Sequence, residues 1–99
     1  MGYRLKYTGR ADKDARLLEQ AGLDKVAAKL LSIIKKNPYQ NPPAYEKLQV
    51  ELKGLYSRRI NQQHRIVYDV LPNDEGLKDE NGVLYIGIVK ILRMWTHYE

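Results

Sequence analysis

The sequence predicts an α+β fold: a small antiparallel sheet with an N-terminal helical hairpin packed on one face, in the order β-α-α-β-β-β. Three observations predict it. Residues 3–7 alternate apolar with basic side chains, two helical periodicities follow back to back between Asp12 and Lys36, and from Leu52 onward β-branched and aromatic runs are broken by turn-forming residues. A chain of 99 residues is one domain, 1–99, whose modest core leaves function to the surface or a shallow cleft.

Each element has its own warrant. Tyr3, Leu5 and Tyr7 share one strand face, with Arg4 and Lys6 on the other. Asp12 opens a helix running to about Ala21, with Gly22 as its C-terminal cap. Asp24 starts a second helix to about Lys36, in which Val26, Ala27, Leu30, Leu31, Ile33 and Ile34 form an apolar stripe. Lys35 and Lys36 suit the negative end of its dipole, and Asn37-Pro38 ends it. The proline-rich stretch 38–44 is a stiff loop delivering Tyr45 and Glu46. Segments 55–60 and 65–71 flank the polar Asn61-Gln62-Gln63 as a hairpin. Pro72 to Gly82 is an acidic loop, and Val83 to Tyr98 reads as one long or bent strand, or as two.

Composition excludes several chemistries. With no cysteine there is no disulfide framework, thiolate nucleophile or Cys-based zinc site. No apolar run approaches the roughly 18 residues of a membrane span, and nothing resembles a signal peptide, so a soluble, cytoplasmic protein without a membrane partner is expected. The net charge is +5, from 17 Lys and Arg against 12 Asp and Glu. Between Leu71 and Gly82 four acids face only Lys78, so the rest of the chain is more basic still. A basic body of this kind fits a polyanion or an acidic protein partner, and equally a surface charge that only keeps the chain soluble.

The polar groups able to do chemistry fall in three places: Glu46 with Lys47 and Lys53, the hairpin Ser57 to Arg65, and the tail Arg93 to Tyr98. Strand parity puts Arg65 on the face opposite Ile66, Tyr68 and Val70, and a three-residue turn sets Arg59 directly across from it. Facing like charges cost about 0.2–1 kcal/mol. A phosphate between them would explain the pair, and a solvated basic face fits as well. His97 falls in parity with Trp95 and Arg93, whereas His64, in parity with Ile66, reads as structural. The histidines lack HExxH spacing, and there is no Gly-rich phosphate loop or GxSxG elbow, so neither a metal nor a cofactor is expected. A carboxylate, two guanidiniums and a histidine remain. Cleavage of RNA by its own 2′-hydroxyl asks for those roles: a base, a cation on the phosphorane, and an acid for the departing 5′-oxygen.

Read as strings, Asn37-Pro38-Tyr39, Glu46-x-Leu48, Leu52-x-Gly54 before an aromatic, Ser57-Arg58-Arg59-Ile60, His64-Arg65-Ile66-Val67-Tyr68 and His97-Tyr98 resemble the YoeB toxin family of the RelE superfamily. The similarity runs over most of the chain. It implies a microbial-ribonuclease-like (RelE-like) fold and a metal-independent endoribonuclease, an mRNA interferase that cuts mRNA in the ribosomal decoding site. It also implies an acidic antitoxin as partner, with a homodimer possible. Position by position, Glu46 matches the family's general base, Arg65 its transition-state stabiliser and His97 its general acid. Arg59 assists at the phosphate, and Tyr98 shapes the site and packs on a base. Lys47, Lys53, Arg58 and Arg93 are the cations expected to contact RNA or the ribosome. The sequence departs from the family pattern in its longer acidic loop and in Glu99 after the closing tyrosine. Two other classes use the same basic hairpin: a non-catalytic RNA- or ribosome-binding module, and a pure interaction protein for an acidic partner. Neither gives a reason for Glu46 and His97.

Overall fold

The computed structural model describes residues 2–50 and 53–95. Strand β1 (Tyr3–Tyr7) leads to helix α1 (Gly9–Gln20) and helix α2 (Asp24–Lys36), followed by strands β2 (Glu46–Val50), β3 (Lys53–Arg59), β4 (Arg65–Pro72) and β5 (Gly87–Arg93). The sheet order is β1-β5-β4-β3-β2. This is the α+β arrangement the sequence predicts, with two corrections.

The sheet is mixed rather than antiparallel, because β1 pairs parallel with β5, Tyr3 opposite Gly87 and Tyr7 opposite Ile91. Those strands are joined through the whole intervening chain, so no hairpin dictates their direction. The second correction is β2, which makes the order β-α-α-β-β-β-β. Glu46-Lys47-Leu48-Gln49-Val50 alternates, but with only two apolar residues in an edge strand it carries little hydrophobic signal. A short, charged edge of this kind discourages pairing with other chains.

Helix α1 begins earlier than expected. Thr8 is its N-cap, extended in backbone, and its Oγ1 accepts the Ala11 N–H at 3.0 Å. Such a cap contributes about 1 kcal/mol. The same hydroxyl donates to Leu92 O at 2.9 Å, tying the helix start to β5. At the other end Gly22 takes φ 74°. The N–H groups of Gly22 and Leu23 then return to Glu19 O and Leu18 O at 3.1 and 2.8 Å, which closes the helix with a left-handed cap. In α2 the buried face is Ala27, Leu30 and Ile34, while Val26 stays exposed.

One core lies between the helices and one sheet face. Ala11, Leu18, Ala27, Leu30 and Ile34 pack with Ile60, Ile66, Tyr68, Val89, Ile91 and Met94. Because side chains alternate along a strand, the intervening residues Arg65, Val67 and Asp69 of β4 stand on the opposite face. That open face carries the site. The acidic loop is folded on itself: Asn73 Nδ2 donates to Leu77 O and Tyr85 O, both at 3.0 Å, and Asp79 Oδ1 accepts from Asn81 and Val83. Residues 83–86, read as strand from their composition, belong to this loop, and β5 starts only at Gly87.

Candidate active site

Sheet register assembles the site. Glu46 of β2 lies opposite Ser57 of β3, Ser57 opposite Val67 of β4, and Arg59 opposite Arg65. The last pairing depends on the turn. Ile60 N–H donates to His64 O at 2.9 Å, and Asn61 Oδ1 accepts from the N–H groups of Gln63 and His64, both at 2.8 Å. That fixes the three-residue turn and sets the two arginines face to face.

Arg65 reaches diagonally across the strands. Its Nη1 donates to Glu46 Oε2 at 3.0 Å and to Ser57 Oγ at 3.0 Å. Ala44, Tyr45, Glu46, Ser57, Arg59 and Arg65 together line a cleft of about 290 Å³. Within it the Glu46 side chain is 60% exposed and Arg65 only 16%. The carboxylate is open to a ligand, while the guanidinium is held from below. A larger groove of about 580 Å³ runs between Arg4, Lys36 and Asp79. Size does not choose the site here, because the paired arginines and Glu46 are in the smaller cleft.

The expected RNA contacts divide. Lys47 alternates with Glu46 and lies opposite Tyr56, so it belongs to the other face of β2. Its side chain covers Gly54, where a Cβ would come within 2.8 Å of Lys47 Cε. Lys53 is placed only by its backbone, opposite Val50. Arg58 is a correction. It points into the protein, 1% exposed, and donates to Tyr68 Oη (3.1 Å), Pro43 O (2.7 Å), Pro38 O (3.0 Å) and Gln40 O (2.8 Å). Its guanidinium also lies 5.0 Å from the Tyr45 ring centre. Arg58 therefore holds the proline-rich loop to the sheet and offers no surface to RNA. Burial pushes the Tyr68 phenol up despite Arg58 beside it, and its neutral hydroxyl donates to Pro38 O at 2.7 Å.

Arg93 is likewise committed inward. Its Nε donates to Asp14 Oδ2 at 2.8 Å, and the Met94 N–H donates to the same oxygen at 2.9 Å. It pins the end of β5 to α1, with a quarter of its side chain still exposed. His64, read as structural, stacks on Trp95 with ring centres 3.8 Å apart. Its Nδ1 is buried with no hydrogen-bond partner among the described residues. The expected acid His97 and its neighbour Tyr98 lie outside the described residues. The residue that the sequence reading did not assign is Ser57. Its signal is parity: it shares a face with Arg59 and sits one pleat from it.

Comparison with known proteins places this chain in a family. A model described as the YoeB-like toxin of bacterial type II toxin-antitoxin system matches residues 7–80, which include Glu46, Ser57, Arg59 and Arg65. The curated Toxin YoeB of Synechocystis sp. is 34% identical over 61 residues, covering 62% of this chain and 64% of that protein, just under two thirds of its length. Among solved structures, the YoeB dimer from Staphylococcus aureus is 27% identical, with TM-score 0.68 over 97% of this chain and 98% of that one. The YoeB-YefM complex from the same organism is 30% identical, with TM-score 0.67 over the same shares. The chain belongs to the YoeB-like toxin family of bacterial type II toxin-antitoxin systems.

Proposed function

We propose that this chain is the toxin of a toxin–antitoxin pair, an endoribonuclease that cuts mRNA in the ribosomal decoding site and so stops translation. The observation that carries the reading is the cleft in which Glu46, Arg65 and Arg59 converge over Ser57 on the open sheet face. Glu46 takes the proton of the 2′-hydroxyl. Arg65, with Arg59 across from it, stabilises the charge that develops on the phosphorane. His97 protonates the departing 5′-oxygen, and Tyr98 packs on a base; these two roles rest on the family resemblance. The nucleophile is supplied by the substrate, so the mechanism asks for no metal. The partner is an acidic antitoxin segment covering the basic cleft, and the Staphylococcus aureus relative solved as a YoeB-YefM complex supports that choice. A homodimer is supported by the relative solved as a dimer.

The test is single-turnover cleavage of mRNA on translating ribosomes, beside free RNA and a DNA of the same sequence. Ribosome-bound mRNA should be cut fastest, DNA not at all, and EDTA should not inhibit. Glu46→Gln and His97→Gln should each lower the rate about 10²–10⁴-fold and remove, respectively, the rising and the falling limb of the pH profile. Binding to ribosomes without cleavage would leave a non-catalytic RNA-binding module instead, and both limbs surviving in both variants would remove Glu46 and His97 from the mechanism.

A further inference from the structure

Ser57 belongs neither to the acid–base pair nor to the two cations, yet it touches the group that links them. It is 1% exposed, on a strand flanked by β2 and β4, and its Oγ accepts from Arg65 Nη1 at 3.0 Å. A buried hydroxyl is costly without a bond, and an apolar residue would suit a central strand better. Its place is explained by Arg65.

The same Nη1 donates to Glu46 Oε2 at 3.0 Å, so both of its N–H groups are committed. The two acceptors differ in mobility. Glu46 is 60% exposed on the edge strand and can turn away; Ser57 is enclosed and cannot. When a phosphate enters, the N–H aimed at Glu46 is the one that can be redirected, and the bond to Ser57 keeps the guanidinium where it is.

We propose that Ser57 is a positioning residue, whose hydroxyl fixes Arg65 while one of its N–H groups passes from Glu46 to the scissile phosphate, leaving Glu46 free to take the 2′-hydroxyl proton. This rests on reading the cleft as a ribonuclease site.

The experiment compares wild type, Ser57→Ala and Ser57→Thr in single-turnover cleavage on mRNA-programmed ribosomes, with melting curves of each. Ser57→Ala should lower the maximal rate about 10–100-fold, the scale of a small misplacement of a reacting group. The half-saturating ribosome concentration should stay within about threefold, because ground-state binding is not what is lost. The drop should be uniform across pH, since no proton donor or acceptor is removed. Ser57→Thr restores the hydroxyl and should recover most of the rate. On an Arg65→Ala background, Ser57→Ala should cost nothing further. A wild-type rate in Ser57→Ala, an equal loss in the Arg65→Ala background, or a well-folded Ser57→Thr that recovers nothing would each overturn the proposal while leaving the ribonuclease reading intact. A wild-type chain that cuts no RNA would overturn that reading, and the proposal with it.

Discussion

Arg58 and Arg59 are adjacent, identical in chemistry and opposite in consequence. Arg58 fills the space under the proline-rich loop and bonds three of its carbonyls. Removing it empties a buried site and breaks those bonds, and a hydrogen bond to a charged group contributes about 1.5–3 kcal/mol. Arg58→Ala should therefore destabilise the fold by at least about 3 kcal/mol in urea unfolding, and Arg58→Lys should recover little, since an ammonium cannot span acceptors on two sides of a planar fork. A variant as stable as wild type would show that the loop is held by something else. Parity alone made Arg59 and Arg65 legible as a facing pair in the sequence, because a hairpin turn is a local event. It could not say what Arg58 meets, since the carbonyls of Pro38, Gln40 and Pro43 lie 15 to 20 residues away and are brought back by the fold. Ser57 was missed for a different reason: its parity with Arg59 was legible, but its meaning is a diagonal contact across the hairpin rather than a facing pair.

At the scale of elements, Asp14 ties α1 to the end of β5. Burial alone would raise its carboxyl, but the hydrogen bonds from Arg93 and the Met94 N–H, with the charge of Arg93, bring it below its ordinary 3.8. A depressed carboxyl stabilises the folded chain fully above the unfolded value, and that stabilisation is lost as pH falls through the lower folded value. Asp14→Asn should cost about 2–3 kcal/mol at neutral pH. It should also flatten the acid side of the stability curve, measured as urea midpoints from about pH 7 down to about pH 3. A curve as steep as wild type would assign the acid loss to other carboxylates. The acidic loop makes the opposite prediction. Its hydrogen bonds through Asn73 and Asp79 are internal, and its exposed ion pair from Glu75 to Lys6, at 3.5 Å, is of a kind worth about 0–1 kcal/mol. Replacing residues 74–85 by a short turn should leave the melting temperature within a few degrees. A large drop would make the loop part of the core. The helical hairpin and the β3–β4 hairpin were legible because their periodicity and turns are local. The parallel pairing of β1 with β5 was not, because it joins residues more than 80 apart.

At the scale of the whole molecule, the excess of basic residues matters through salt. If the open face binds RNA, affinity for a ribosome or model RNA should fall steeply as salt rises, through release of counterions from the phosphates. Arg59→Ala should reduce the slope of log affinity against log salt by about 1, and Arg58→Ala should leave it unchanged in whatever fraction remains folded. Equal slopes in both would mean that Arg59 does not meet a phosphate. The same alternation along β3 ties the site to register. Pairing β3 and β4 one residue out of step would turn Arg58 outward and send Ser57 and Arg59 into the apolar layer. A chain in that state buries charge against the core and has lost the cleft. On the proposed function, cleavage therefore depends on the in-register pairing of β3 with β4, and a chain paired one residue out of step has no site to act with.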